Sequence, residues 1–256
     1  MPTIRMEEMT WPDVRAAVQH GFTTVVVGVG STEQHGPHLP TMTDTRIGDD
    51  LAHRVALRLG LALQARTIPF GVSEHHLAFG ATISLRRESL KAILRDYLDS
   101  LVRCGFTRIV LLPSHGGNFA TVQEVIDEAP ITHPGVVVTG YADLLGFSGF
   151  LERASGRFGI SAGAAGAHAG ENETSMMLAL EPTLVRRDRF AAGYVGPLDV
   201  EQVKVILEQG MTALTANGVL GDPAGSSADK GETYLELCAE YLVSMLESER
   251  APTMRD

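Results

Sequence analysis

Thr23-Thr24-Val25-Val26-Val27-Gly28-Val29 is a β-branched run of strand length. It leads straight into Gly30-Ser31-Thr32-Glu33-Gln34-His35-Gly36-Pro37-His38-Leu39-Pro40. An apolar run without polar alternation is a strand buried on both faces, the kind found in parallel sheets covered by helices. Outward from it, strand and helix patterns alternate. Residues 49–59 carry helical spacing, and residues 62–70 read as a second strand ending at Pro69. Leu90, Ile93, Leu94, Tyr97, Leu98, Leu101 and Val102 recur every three to four positions, an amphipathic helix that Gly105 stops. RIVLLP at 108–113 is the next buried strand, 122–128 the next helix and 135–140 another strand. Helices at 200–216 and 226–249 follow, and the last eight residues are expected to fray. Strands separated by helices imply parallel pairing through right-handed crossovers. The expected fold class is a three-layer α/β/α sandwich with a mostly parallel central sheet.

The length of 256 residues suits one large α/β domain, 1–256, and should bury roughly three quarters of the surface of the unfolded chain. Lys+Arg number 21 and Asp+Glu 31, a formal net charge of −10, which argues against a nucleic-acid or anionic-membrane partner. Cys104 and Cys238 each sit in an apolar helical pattern and read as small core residues, so a disulfide framework is not expected and a cytoplasmic setting is. No stretch approaches the ~20 apolar residues of a membrane span, and residues 1–8 contain no apolar signal core.

Four motifs concentrate the polar chemistry. The first runs from Gly30 to Pro40 and on to Thr43-Asp44, beginning where the first strand ends, the place where ligands bind in open parallel sheets. Glu33 and His35 are two apart and project to one side of extended backbone. Gly36, Pro37 and Pro40 forbid a helix and can turn the chain so that Asp44 meets the pair. Carboxylate, imidazole and carboxylate form a metal-binding set. The alternative is a polar turn with Asp44 capping the next helix. The second motif, Pro113-Ser114-His115-Gly116-Gly117-Asn118, again puts a histidine at a strand terminus. The third, Ala167-His168-Ala169-Gly170-Glu171-Asn172-Glu173-Thr174-Ser175, opens a helix and follows a glycine-rich stretch, 156–170, that reads as a site loop or a surface linker. Acidic residues there could simply complement the helix dipole. The fourth motif contains His75-His76, of which one is expected to face the site because adjacent side chains point apart. There is no G-x-S-x-G elbow, no Walker A sequence and no C-x-x-C, and Glu33 occupies the third glycine position of a dinucleotide loop.

Together the first three motifs resemble those of the creatininase family of metal-dependent amidohydrolases: G-S-x-E-Q-H-G-P-H-L-P…T-D, N-G-H-G-G-N and H-A-G-E-x-E-T-S. The resemblance runs from about Val25 to the C-terminal helix. Pro113-Ser114 replaces the family's Asn-Gly, and Phe79-Gly80-Ala81-Thr82 its F-P-G-T. Gly218-Val219-Leu220-Gly221-Asp222-Pro223 resembles the branch holding formamidopyrimidine deformylases and the mycofactocin-system peptidase more than creatininase proper; otherwise it is an Asp-Pro turn.

The resemblance implies two divalent ions per chain (Zn²⁺, Mn²⁺ or Fe²⁺), a homohexamer and a small-molecule amide substrate. It implies Glu33, His35, Asp44 and His115 as metal ligands. Creatininase uses a glutamate where Gly117 stands here, and in members with that glycine the E-T-S glutamate serves, which is Glu173. Asp44 would bridge, Glu33 and His115 completing one ion and His35 and Glu173 the other. A water shared by the ions, its pKa drawn down toward about 7, would attack the carbonyl carbon. Glu33 counts as catalytic on that account. His168 is expected as the general acid that protonates the leaving nitrogen, with His76 as the next candidate. The alternatives are a small-peptide peptidase of the mycofactocin type and a non-catalytic metal-binding protein that kept the fold.

Overall fold

The computed structural model describes residues 3–248. Strands β1 (Thr24–Val29), β2 (Ala62–Gln64), β3 (Arg108–Pro113) and β4 (Val137–Gly140) form one parallel sheet in the order β2-β1-β3-β4. Every residue of β3 is buried, as the unbroken apolar run requires. Alternate side chains feed opposite cores. Val25, Val27, Val29, Ile109 and Leu111 pack on one face, and Val26, Val110 and Leu112 on the other. The first face is covered by α1 (Trp11–Gln19), α3 (Arg87–Arg103) and α4 (Phe119–Thr132) through Ala17, Leu90, Leu94, Leu98, Val122 and Val125. The second is covered by α2 (Thr43–Leu59), α7 (Glu171–Leu180) and α9 (Ala228–Ser248). The expected three layers are present. Each fully buried Val, Leu or Ile contributes roughly 1.5–3 kcal/mol, so the two cores dominate stability.

From β1 the chain moves outward through α2 to β2, then returns past β1 through α3 to β3. The strand order therefore reverses between β1 and β3, which opens a crevice at their C-terminal ends. Three further helices roof that end: α5 (Leu144–Gly156), α6 (Ala162–Ala165) and α8 (Val200–Gln209).

Several elements differ from the sequence reading. β2 is only three residues long because the chain bends before Pro69, and Ile68 alone rejoins the sheet beside Val29. The helix expected over 200–216 stops at Gln209, where Gly210 takes φ +83°. Cys238 is buried, but Cys104 is exposed at the C-cap of α3, one residue beyond the last turn that packs on the core. α1 was not anticipated because its apolar stripe is thin and Trp11 faces solvent, yet Thr10 and Asp13 form a capping box that was legible. The fraying expected of the last eight residues lies outside the described residues. Among the described residues no helix is long and apolar enough to cross a membrane.

Candidate active site

The loops after β1 and β3 meet the first turns of α2 and α7. Gly30 allows the approach: a Cβ there would lie 2.7 Å from the Thr45 Cα. Asp44 stands inside the first turn of α2, with Met42 rather than Asp44 at the N-cap, and Ser114 Oγ donates to the Asp44 carbonyl at 2.8 Å. A carboxylate is favoured there by the positive end of the helix dipole. His168 is held against Leu220 by an antiparallel bridge, and Ala169 turns the chain into α7 at φ +53°. The stretch 218–223 otherwise ends as the plain turn, with Asp222 accepting from the Ala224 N–H.

These elements bring Glu33, His35, Asp44, His115, His168, Glu173 and His76 together. The Asp44 carboxylate lies between two imidazoles: Oδ1 is 3.1 Å from His35 Nε2 and Oδ2 is 3.3 Å from His115 Nδ1. Glu33 Oε2 is 3.1 Å from the same His115 nitrogen, and Glu173 Oε2 is 3.9 Å from the same His35 nitrogen. Two carboxylate–imidazole pairs thus share Asp44. Their fit to cations can be judged from the atoms left over. Glu33 Oε1 and Asp44 Oδ2 are buried without a hydrogen-bond partner, which is costly for a carboxylate unless a cation meets it. His35 Nδ1 donates to the Glu33 carbonyl and His115 Nε2 to the Val72 carbonyl, so each ring is anchored by one nitrogen and presents the other inward, as metal-ligating histidines do. The donor set is oxygen and nitrogen with no thiolate. It fits divalent ions. A side chain at 117 would collide with the Val72 carbonyl, so on this backbone only glycine is accommodated there, while Glu173 reaches the cluster.

The electrostatics follow from burial. Burial disfavours the Glu33 charge, but His115 outweighs it and holds the carboxyl at about 2. Asp44 is likewise held well below the usual range by His35 and His115 against its desolvation. Burial works against the charge on His35, yet Asp44 raises it to about 9, and Glu33 and Asp44 raise His115 well above its ordinary value. Glu173 is pushed up by burial to about 7. Burial, and then the charge on His35, depress His168 far below 6.5.

Gln34, quoted in the first motif without a role, organises two of the histidines. Its Oε1 accepts from the Gly36 N–H, which assigns the amide, and its Nε2 donates to His76 Nδ1 at 2.9 Å and to the Gly218 carbonyl. His76 therefore carries its proton on Nε2, 3.2 Å from Glu33 Oε1. The Gln34 carbonyl lies 2.8 Å from His168 Nε2, which donates to it, leaving Nδ1 unprotonated 3.8 Å from Glu33 Oε1. Contrary to the sequence reading, both His75 and His76 line the site. The 3₁₀ turn Glu74–Phe79 lets neighbours converge, and His75 stacks on His115 with centroids 5.7 Å apart. Glu171 faces away, accepting from Tyr234 Oη at 2.8 Å and Ser175 Oγ at 3.0 Å. The glycine-rich stretch forms cavity wall, through Ala162, Gly163, Gly166 and Ala167.

Residues 7–246 match the creatininase family, described as creatinine amidohydrolase. The chain belongs to the creatininase family. It is 35% identical over 249 residues to the mycofactocin precursor peptide peptidase of Mycobacterium ulcerans (strain Agy99), covering 93% of this chain and 85% of that protein. It is 30% identical over 263 residues to the creatinine amidohydrolase of Pseudomonas putida, covering 96% and 97%. The crystal structure of a creatininase superposes with a TM-score of 0.79 at 28% identity, covering 99% of this chain and all of that one. A zinc–zinc form of a creatininase mutant gives 0.77 at 28% identity, covering 98% and 99%. As a member, this creatininase-family protein is a metal-dependent amidohydrolase acting on C–N bonds.

Proposed function

We propose that this creatininase-family protein hydrolyses an amide with two divalent ions, of zinc, manganese or iron, held by Glu33, His35, Asp44, His115 and Glu173. The observation that carries this reading is the Asp44 carboxylate, which offers one oxygen to each of two imidazole–carboxylate pairs. When bound, the ions supply a water acidified toward neutral pH and a positive field for the carbonyl oxygen.

The chain's own residues then manage the proton. An amide nitrogen must be protonated as the C–N bond breaks. The sequence suggested His168 as a standing acid, but a buried imidazole whose Nε2 proton is committed to the Gln34 carbonyl is neutral at rest. His168 instead takes a proton at Nδ1 from the attacking water and gives it to the departing nitrogen, so each turnover restores it. His76 places its Nε2 3.2 Å from Glu33 Oε1, close beside that carboxylate but not hydrogen-bonded to it. With the ions bound, Glu33, Asp44 and Glu173 would all be ionised.

The deciding experiment is Asp44→Asn. It keeps the size and removes the shared charge, so elemental analysis should find both ions lost and activity should fall at least ~10³-fold. Full metal content in Asp44→Asn would exclude the shared-carboxylate site. A peptide amide is the second reading, favoured by the identity to the mycofactocin precursor peptide peptidase. A single working domain, a hexameric assembly and a cytoplasmic setting complete the proposal.

A further inference from the structure

The cluster forms the floor of a cavity of about 450 Å³, within the range that holds a drug-sized ligand. Its upper walls are α5, with Leu144, Phe147 and Leu151, and the α8 region, with Leu198, Ile206 and Met211. Polar side chains are confined largely to the floor. Among the described residues lining the cavity none is lysine or arginine, whereas four are acidic: Glu33, Asp44, Glu152 and Glu173. Two divalent cations would balance those four carboxylates and leave no net positive charge for an anionic substrate group. Among the described residues lining the cavity, one buried amide donor has no partner. Asn172 is 2% exposed and lines the cavity; its Oδ1 accepts from the Glu173 N–H, and its Nδ2 has no hydrogen-bond partner. An unsatisfied buried donor is costly in the free protein, and a ligand acceptor removes that cost.

We infer that the substrate is an uncharged amide bearing a bulky apolar group, seated between α5 and α8, with one of its oxygens accepting from Asn172 Nδ2. This rests on the amidohydrolase reading and names its substrate class. A small polar ring would leave most of the cavity to water. A substrate ending in a carboxylate or phosphate would bury that charge among leucines with no cation beside it, at a cost of many-fold in affinity.

Calorimetric titration of the metal-loaded full-length protein with hydroxamates tests this without turnover, because the hydroxamate head binds divalent ions. From acetohydroxamate through hexanohydroxamate, affinity should rise about two- to fourfold for each methylene, and benzohydroxamate should also bind tightly. The monohydroxamate of succinate, with a carboxylate tail, should bind at least tenfold more weakly than its uncharged counterpart of equal length. Leu144→Asp should abolish the gain per methylene; an acidic residue suits the first turn of α5, so folding is spared. Asn172→Asp keeps the acceptor for the Glu173 N–H and removes the donor, and should weaken every member about tenfold at normal metal content. A flat affinity along the series, or preference for the carboxylate tail, would overturn the substrate class while leaving the amidohydrolase reading standing. Unchanged binding by Asn172→Asp would overturn the role of Asn172. Absence of binding by every hydroxamate, with metal present, would overturn both readings.

Discussion

His168 is where one residue separates two kinds of chemistry. Its ring lies 4.1 Å from that of His35 and 4.6 Å from that of His76, centroid to centroid, close enough to be mistaken for a ligand. A ligand and a proton carrier behave differently on removal. His168→Ala should retain metal by elemental analysis and lose ~10²–10⁴ in kcat, the range of general acid–base catalysis. The loss should shrink for amides whose nitrogen leaves easily, and a kcat unchanged at full metal content would refute the role. The histidines paired with Asp44 carry a different prediction. Without ions, His35 at about 9 and His115 well above its ordinary value are protonated at pH 7, and a metal ion needs both neutral. Loading should therefore release about one proton per site. Apparent metal affinity should rise with pH up to about 9 and collapse in acid. Titrating the ion-free protein in buffers of different ionisation enthalpy counts the protons.

At the scale of elements, α7 decides which glutamate faces the cluster. Glu171 and Glu173 are two residues apart, about 200° around a helix, so only one can point to the cluster. α9 makes the choice: Tyr234 and Lys230 draw Glu171 toward it, and Gly231 packs against the Ser175 carbonyl with no room for a Cβ. Glu171→Gln should leave metal content near normal while lowering stability by about 1–3 kcal/mol in chemical denaturation, since it weakens a buried charged hydrogen-bond set. Glu173→Gln should do the reverse and empty mainly the His35 side. A larger metal loss in Glu171→Gln would mean that α7 is rotated relative to this account. The same element illustrates what sequence conceals. The E-x-E pattern was plain, but its choice belonged to a helix more than fifty residues downstream.

For the whole molecule, the site ties β1, α2, β3 and α7 through one cluster of charges. In the ion-free protein, protonated His35 and His115 stand between the carboxylates of Glu33, Asp44 and Glu173, whereas divalent ions would bind that folded arrangement and not the unfolded chain. Chelation should consequently destabilise the fold, and restoring zinc or manganese at about 100 times its dissociation constant should regain about 2.7 kcal/mol per independent site. Thermal unfolding with and without chelator measures it. Assembly is tested by light scattering, where the proposed hexamer predicts six times the monomer mass; a monomer at micromolar concentration would exclude it.

The sequence by itself determined the parallel sheet, the helices that flank it and the polar loops at the ends of β1 and β3. These follow from local rules: β-branched runs, helical spacing, and glycine and proline that forbid helix where Glu33, His35 and His115 must turn inward. Asp44 it left open between a metal-binding set and a helix cap; α2, which begins at Thr43 rather than near residue 49, is what brings Asp44 to the first loop. The resemblance pointed to Glu173, and the packing of α7 against α9 is the reason that it, and not Glu171, lies beside His35. Only the tertiary structure decided that Gln34 holds His76 and His168, that both His75 and His76 face the site, and that α5 and α8 raise an apolar wall without a cation. Each of these depends on how one element is rotated or brought close by another far away in the chain. Such contacts are set by packing between elements, to which residue periodicity along one element is blind.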